Sequence, residues 1–160
     1  MRLGFVLLSA LTMMCSAAAS AHEYTAGDLF IDHPAVNVTP PGSKVAVGYM
    51  TIKNNGNTDD VLLGVEAPGL SKRPEIHSMT MDGGAMKMRK LEALTIPAHG
   101  QAALSPNGTH IMFMDLASAV KEDSSFDATL RFKNAGDVKV KFNGAPIGSG
   151  GDASSHAHHH

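Results

Sequence analysis

The sequence predicts an all-β domain, folded as a barrel or sandwich of short strands. Runs rich in β-branched and aromatic residues recur along the chain, and Gly, Pro and Asn turn signals separate them. The final run, Asp137 to Phe142, alternates strictly, so we expect Val138, Val140 and Phe142 to point inward and the lysines outward. The length of 160 residues is sufficient for one domain with a hydrophobic core.

The charge balance argues against nucleic acid as a partner. Thirteen Lys and Arg residues stand against fifteen Asp and Glu residues, giving a net charge of −2. A nucleic-acid-binding domain usually carries a basic excess, and this chain has none.

Residues 1–21 have the features of a secretory signal peptide. Arg2 precedes a short apolar centre, and the small residues of Ala19-Ser20-Ala21 form a cleavage site. Export to the periplasm would leave a mature chain without thiols, because the only cysteine, Cys15, lies in this leader and Met14 before it argues against a lipoprotein anchor. The new N-terminal residue, His22, is either a Cu(II) chelator or an accidental terminal histidine.

The mature chain begins with strands that the turn signals delimit. A first short strand at 28–31 should end at His33-Pro34, since the residue before a proline is extended and proline interrupts strand pairing. His33 is then a structural residue. A strand at 45–53 should pair with one at 60–65, and Met50 within it should belong to the core.

The second half of the chain contains further predicted elements. They are strands at 91–96 and 101–104, a surface turn containing His99, a single helical turn at 116–120, and strands at 126–132 and 137–142. The β-domain therefore spans 22–143. No apolar segment outside the leader is long enough to span a membrane.

The C-terminal residues 144–160 have the composition of a flexible tail rich in Gly, Ser and His. The tail ends in His156, His158, His159 and His160. These histidines are either a purification remnant or a native tract that collects Cu(II) or zinc, because His-rich tracts bind such ions.

The most informative segment runs from Glu75 to Met114, which holds six of the ten methionines. His77 and His110 each have a methionine two residues on, so on a strand imidazole and thioether share one face. Ile111 and Phe113 occupy the opposite face around His110 and fill the core. The His and Met side should then be free, facing water or a shallow cleft.

A hairpin is predicted within this segment. Asp82-Gly83-Gly84 is a turn signal, and a two-residue Gly83-Gly84 loop would pair Met81 with Met86 and Met79 with Met88. His77 would lie diagonal to Met88, about 7–8 Å away at the backbone and within reach of long side chains.

Neutral imidazole and thioether together select a soft ion, and Cu(I) is the leading candidate. The alternative is that these methionines merely fill the core, as methionines in strands commonly do. The same-face pairs and the separate apolar residues favour the metal site. An enzyme is not predicted, because no nucleophile motif or strand-end acidic pair is present, and a copper monooxygenase built on His22 would need further ligands with an open position.

The spacing of these residues resembles a known family. His77-x10-Met88-x21-His110-x-Met112 is similar to the H-x10-M-x21-H-x-M signature of the PCuAC periplasmic copper chaperones, and the resemblance runs from Ala26 to about Phe142. One departure is Ala35 after His-Pro, where the family often has Trp.

The resemblance implies a cupredoxin-like Greek-key barrel that binds one Cu(I) through His77, Met88, His110 and Met112. We expect the protein to be a monomer. The resemblance further implies delivery of that ion to copper-accepting proteins, notably the CuA centre of cytochrome c oxidase subunit II or its assembly factors. A periplasmic copper buffer without a dedicated recipient is the alternative, since both functions need reversible Cu(I) binding.

Overall fold

The computed structural model describes residues 23–147, which form eleven strands and no helix. The strands are β1 (Glu23–Ala26), β2 (Leu29–Asn37), β3 (Val45–Asn54), β4 (Asp60–Glu66), β5 (Ser71–Asp82), β6 (Ala85–Leu91), β7 (Leu94–Ile96), β8 (Gly100–Leu104), β9 (Thr109–Leu116), β10 (Ser125–Phe132) and β11 (Asp137–Ala145). The all-β prediction is confirmed. Within 23–147 there is no helix of the length and apolarity that a membrane crossing requires.

The strands form one curled sheet in the order β6-β5-β9-β3-β2-β11-β10-β4-β7, with β1 beside β2 and β8 beside β3. All pairings are antiparallel except β11 with β2. Several connections, such as β4 to β5 and β9 to β10, carry the chain to strands that are not neighbours in this order. Such long returns are typical of Greek-key folds. The two ends of the sheet approach each other where β4 lies beside β5.

The core lies between the inward faces of these strands, as the alternation predicts. Val138, Val140 and Phe142 of β11 are buried and the lysines between them are exposed. Phe142 meets Phe113 of β9 edge to face, with ring centroids 5.3 Å apart. Gly48 on β3 allows this contact, because a Cβ there would lie 2.5 Å from the Phe113 ring. Large apolar side chains thus pack against the core face of β9.

The strand β2 does not end at His33-Pro34, so that prediction is wrong. The pairing with β3 shifts register between Asp32 and Ala35, and His33 adopts a positive φ of 48°. This irregularity accommodates the proline, which donates no backbone hydrogen bond, and the strand resumes through Asn37.

The predicted pairing of the strand at 60–65 with the strand at 45–53 is also wrong. β4 pairs with β10 and β7, whereas β3 lies between β2 and β9 and also contacts β8. Local sequence placed the strands correctly, but the four-residue turn signal after β3 does not form a hairpin.

The helical turn predicted at 116–120 is absent, because the backbone groups there have distant partners. The N–H of Leu116 donates to the carbonyl of Lys44, and that of Ala117 donates to the carbonyl of Leu70. The N–H of Val120 donates to the Thr39 hydroxyl at 2.9 Å. The segment therefore bonds to the loops beside β2, β3 and β5 instead of forming the internal hydrogen bonds of a helical turn.

Two strand limits also differ from the prediction. The expected strand at 91–96 is divided between the end of β6 at Leu91 and the separate strand β7. β11 extends to Ala145, because Asn143, Gly144 and Ala145 pair in parallel with β2.

A candidate metal centre on β5, β6 and β9

The hairpin of β5 and β6 forms as predicted. Asp82 pairs with Ala85 across a two-residue loop, and Gly83 and Gly84 have positive φ values of 60° and 81°, which a type I′ turn requires. This turn determines the register of every pair behind it.

The predicted methionine pairs follow from that register. Met81 pairs with Met86 and Met79 with Met88. His77 pairs with Lys90, which places it diagonal to Met88.

β9 lies on the other side of β5 and brings the second histidine next to the first. His110 is directly opposite His77, and Met112 is opposite Glu75. The two imidazole rings are 6.1 Å apart between centroids and inclined at 46°. This direct opposition depends on pairing between distant segments, and sequence spacing did not reveal it.

The four predicted ligand residues lie on one face of the sheet. The alternation of side chains puts His77, Met88, His110 and Met112 on that face, while Ile111 points to the core and is fully buried. The face is not uniformly free, however. His110 is only 1% exposed, whereas Met88 on the edge strand is 47% exposed. The expectation of an open His and Met side is wrong for His110.

Each histidine uses one ring nitrogen in a hydrogen bond. Nδ1 of His110 is 3.1 Å from the carbonyl oxygen of Gly108, and Nε2 of His77 is 2.9 Å from a carboxylate oxygen of Glu75. A carbonyl and a carboxylate can only accept, so the two ring nitrogens donate. In a neutral imidazole the other nitrogen is then an unprotonated acceptor.

The remaining ring nitrogens are buried and have no hydrogen-bond partner. These atoms are Nδ1 of His77 and Nε2 of His110. Buried polar atoms in folded proteins are almost always paired, and an unpaired one needs an explanation. Two unpaired nitrogen lone pairs on the face that carries the thioethers form a donor set that suits a soft cation.

The surroundings of His110 and Glu75 favour the protonation state that each of these two side chains needs if His77 and His110 are to hold a metal ion. Burial lowers the pKa of His110, outweighing the effect of its hydrogen bond to Gly108, so its imidazole is neutral at pH 7. The hydrogen bond from His77 lowers the pKa of Glu75, which stays ionised. Lys90 also approaches Glu75, with nitrogen and oxygen 3.8 Å apart. Glu75 therefore orients His77 as an outer-sphere partner would.

The role of Glu75 as a partner of His77 was not predicted from the sequence. The available signal was its position two residues before His77, which places the two side chains on one face of β5.

Met50, His99 and His33 lie away from the candidate centre on β5, β6 and β9. Met50 is 3% exposed in the core and His99 is exposed, as expected. Pairing of β1 with β2 places ligand atoms of Glu23, Asp32 and His33 within 4.8 Å of one another at the surface. Exposed groups of this kind are common without an ion. His22 and the C-terminal histidines lie outside the described residues, as do the predicted signal peptide and residues 148–160 of the predicted tail. Gly144 and Ala145, which the prediction assigned to the tail, belong to β11.

Solved structures share this fold. The chain is similar to the copper-bound PCuAC domain from PmoF2, with 23% identity, a TM-score of 0.67, and coverage of 78% of this chain and 98% of that one. For the apo PCuAC domain from PmoF1 the identity is 26%, the TM-score 0.66 and the coverage 78% and 99%. For CuI-DR1885 from Deinococcus radiodurans the identity is 26% and the TM-score 0.61, and the match covers 84% of this chain and 87% of that one. The predicted cupredoxin-like class is confirmed.

Comparison of the sequence identifies a relative and a family that are both described as putative lipoproteins. The chain is 29% identical over 98 residues to the protein named "Putative lipoprotein Lxx21020" of Leifsonia xyli subsp. xyli. That match covers 61% of this chain and spans only 58% of the relative's length. The LpqE-like family model matches residues 29–143, from the start of β2 almost to the end of β11, and includes every residue of the candidate centre. The chain belongs to the LpqE-like family.

Proposed function

We propose that this protein is a copper chaperone that carries one Cu(I) ion on His77, Met88, His110 and Met112. The observation that carries the proposal is the pair of buried, unpartnered nitrogens, Nδ1 of His77 and Nε2 of His110, on the face that also presents the thioethers. A coordinated ion would satisfy both nitrogens at once.

The chemistry of the donors favours Cu(I) as the cargo. Thioether sulfur and neutral imidazole prefer soft, electron-rich ions, and neither is a ligand that Mg²⁺ or Ca²⁺ selects. Two of the similar structures are described as copper-bound or CuI forms, which supports the same ion. Thioethers carry no proton to lose and form no disulfide, so such a site suits an oxidising compartment.

The exposure gradient supports transfer. Met88 on the edge strand is half exposed, whereas His110 is buried. An incoming protein ligand can therefore reach the ion from the Met88 side while His110 still holds it. Exchange of this kind suits a carrier.

We propose that the protein acts in the periplasm after export, and that its recipient is a copper protein such as the CuA centre of cytochrome c oxidase subunit II or an assembly factor of that enzyme. The lipoprotein name of the relative supports a location outside the cytoplasm. A copper buffer would use the same centre but would need no recipient.

An anaerobic Cu(I) titration against a chelator tests the centre. We expect His110→Ala and Met112→Ala to lower the affinity by about 100-fold or more, since loss of an outer-sphere partner alone commonly costs about 10- to 100-fold. Met50→Leu is the matched control, because Met50 is a buried methionine of the hydrophobic core, and the affinity of this variant should not change. Unchanged affinity in both ligand variants would exclude this centre.

A transfer assay distinguishes chaperone from buffer. The loaded protein is mixed with the apo CuA domain of subunit II, and the rate of copper arrival is compared with the rate of spontaneous release. A chaperone transfers faster than it releases, at a rate that rises with recipient concentration. A buffer transfers no faster than it releases.

A further inference from the structure

The outer half of the β5–β6 hairpin extends past the rest of the sheet. Pairing of β5 with β9 ends at Ser78 and Thr109, and β6 is the last strand at its edge. Met79 still donates its N–H to the carbonyl of Gly108, and beyond Met79 the hairpin is a ribbon of two strands. Its Met81 and Met86 side chains are 68% and 51% exposed.

The two faces of this ribbon differ in composition. One face carries Asp82 in ion pairs with Lys87 and Arg89, with nitrogen to oxygen distances of 2.8 Å and 3.3 Å. The other face carries thioethers only, in the cross-strand pairs Met79 with Met88 and Met81 with Met86. An ordinary solvated ribbon would be polar on both faces.

These outer methionines do not fill a core. Met81, Met86 and Met88 are among the exposed large apolar side chains of the described residues, and none of the four ribbon methionines belongs to the buried cluster. Exposed apolar groups gathered on one face indicate a binding function more often than isolated ones do.

The outer pair is also too distant to share the ion proposed for His77. Residues of one strand face are spaced about 7 Å apart, so Met81 lies about 14 Å along β5 from His77. Metal–sulfur bonds are only about 2.3 Å long. Paired side chains across the ribbon, in contrast, have Cβ atoms about 5 Å apart, so Met81 and Met86 can converge on one ion.

We infer that Met79, Met81 and Met86 form a second, all-thioether site for a soft monovalent ion such as Cu(I) or Ag(I). This inference rests on the proposed function, because the site would collect or release the ion that His77 and His110 hold. Met88 lies directly opposite Met79, one row from His77 and one row from the pair of Met81 and Met86, and can bind in either site. Without imidazole, the outer site is the weaker of the two and fills second.

Residue-resolved NMR with Ag(I), which is redox-inert, tests this inference on the full chain. Methionine methyl groups carry ¹³C and histidine rings carry ¹⁵N, so each site reports separately and binding by other histidines does not interfere. We expect the His77, His110 and Met112 signals to move with the first ion bound. The Met81 and Met86 signals should move with the second.

Each NMR result that differs from this expectation leads to a different conclusion about the two sites. If the histidine signals respond and Met81 and Met86 stay unchanged at excess Ag(I), the outer site does not exist and the proposed function stands. If Met81 and Met86 respond while His77 and His110 do not, the outer site stands and the proposed centre fails. If no signal responds, both are wrong.

A pair of variants sharpens the test. In the double variant Met81→Leu with Met86→Leu, apolar volume is retained and both outer sulfurs are lost, so the second binding step should disappear and the first should remain. Met114→Leu is the control, because Met114 lies on the same face of β9 as Met112, with its sulfur 3.6 Å from the Arg73 guanidinium. A second step that persists in the double variant contradicts the inference.

Discussion

Two buried polar side chains, Asp60 and His110, show opposite patterns of hydrogen bonding. Asp60 is 5% exposed, and its carboxylate accepts from the backbone N–H groups of Val61, Asn134 and Ala135 at 2.7, 2.9 and 3.0 Å. His110 is 1% exposed and leaves Nε2 without a partner. Asp60 thus fastens β4 to the turn after β10, whereas His110 retains a lone pair that the fold does not use.

The difference teaches how to separate structural from functional polar groups inside a protein. A buried group whose hydrogen bonds are complete contributes to stability, and its removal leaves other groups unsatisfied. A buried group with an unused lone pair costs stability until a ligand arrives. Burial alone does not distinguish the two.

The largest expected effect is on stability, from Asp60→Ala. Three backbone N–H groups would lose a charged acceptor, so we expect the free energy of unfolding to fall by about 4 kcal/mol. Chemical denaturation of the apo protein measures this. The Cu(I) affinity of the remaining folded protein should be unchanged. A loss below about 1 kcal/mol would place Asp60 outside the framework of the fold.

A smaller effect is expected at the histidine that Glu75 orients. Glu75→Gln keeps an acceptor for the Nε2–H of His77 but removes the negative charge, so the Cu(I) affinity should fall about tenfold. Competition with a chelator provides the measurement. Lys90→Gln is the control, because it removes a charge beside Glu75 and leaves the hydrogen bond between Glu75 and His77 in place. If Glu75→Gln binds as tightly as the wild type, the carboxylate does not assist His77.

The smallest effect is a pH dependence of apo stability. Burial lowers the folded-state pKa of His110 below its ordinary value of 6.5. Above 6.5 both states are neutral at this residue, and stability does not depend on its titration. Below 6.5 the unfolded chain binds the proton first, so stability falls as the pH decreases toward the folded-state pKa.

Comparison with His110→Gln isolates this contribution. Unfolding free energies are measured above and below pH 6.5 for both proteins, and the variant should lose less stability on acidification. Equal losses would mean that His110 is protonated equally easily in the two states.

Local features of the fold were predictable because short-range rules determine them. Glycine readily adopts the positive φ that a two-residue hairpin turn needs, so Gly83-Gly84 identified the turn. The position of the turn then determined which residues pair, including Met81 with Met86 and Met79 with Met88. Alternation likewise identified Ile111 and Phe113 as the core side of β9. The same alternation assigned the histidines and methionines of the candidate centre to their strand faces.

Features that depend on long-range pairing were not predictable. The opposition of His77 and His110 requires β9 to pair with β5, although the two strands are far apart in the sequence. The incorrect partner of β4 has the same origin, since adjacency in sequence suggested a hairpin where the chain crosses over. The continuation of β2 beyond Pro34 depends on a bulge, which sequence does not mark.

The position of Met88 at the sheet edge has a consequence for how the proposed centre would empty. The other three proposed ligand residues stand on β5 and β9, which have a paired strand on each side, so their backbones cannot separate without breaking backbone ladders. Met88 can swing aside by rotation about its own flexible bonds. Unloading would thus follow a fixed sequence, with the outermost sulfur detaching first and the buried imidazole of His110 last, and it would require no hinge or lid.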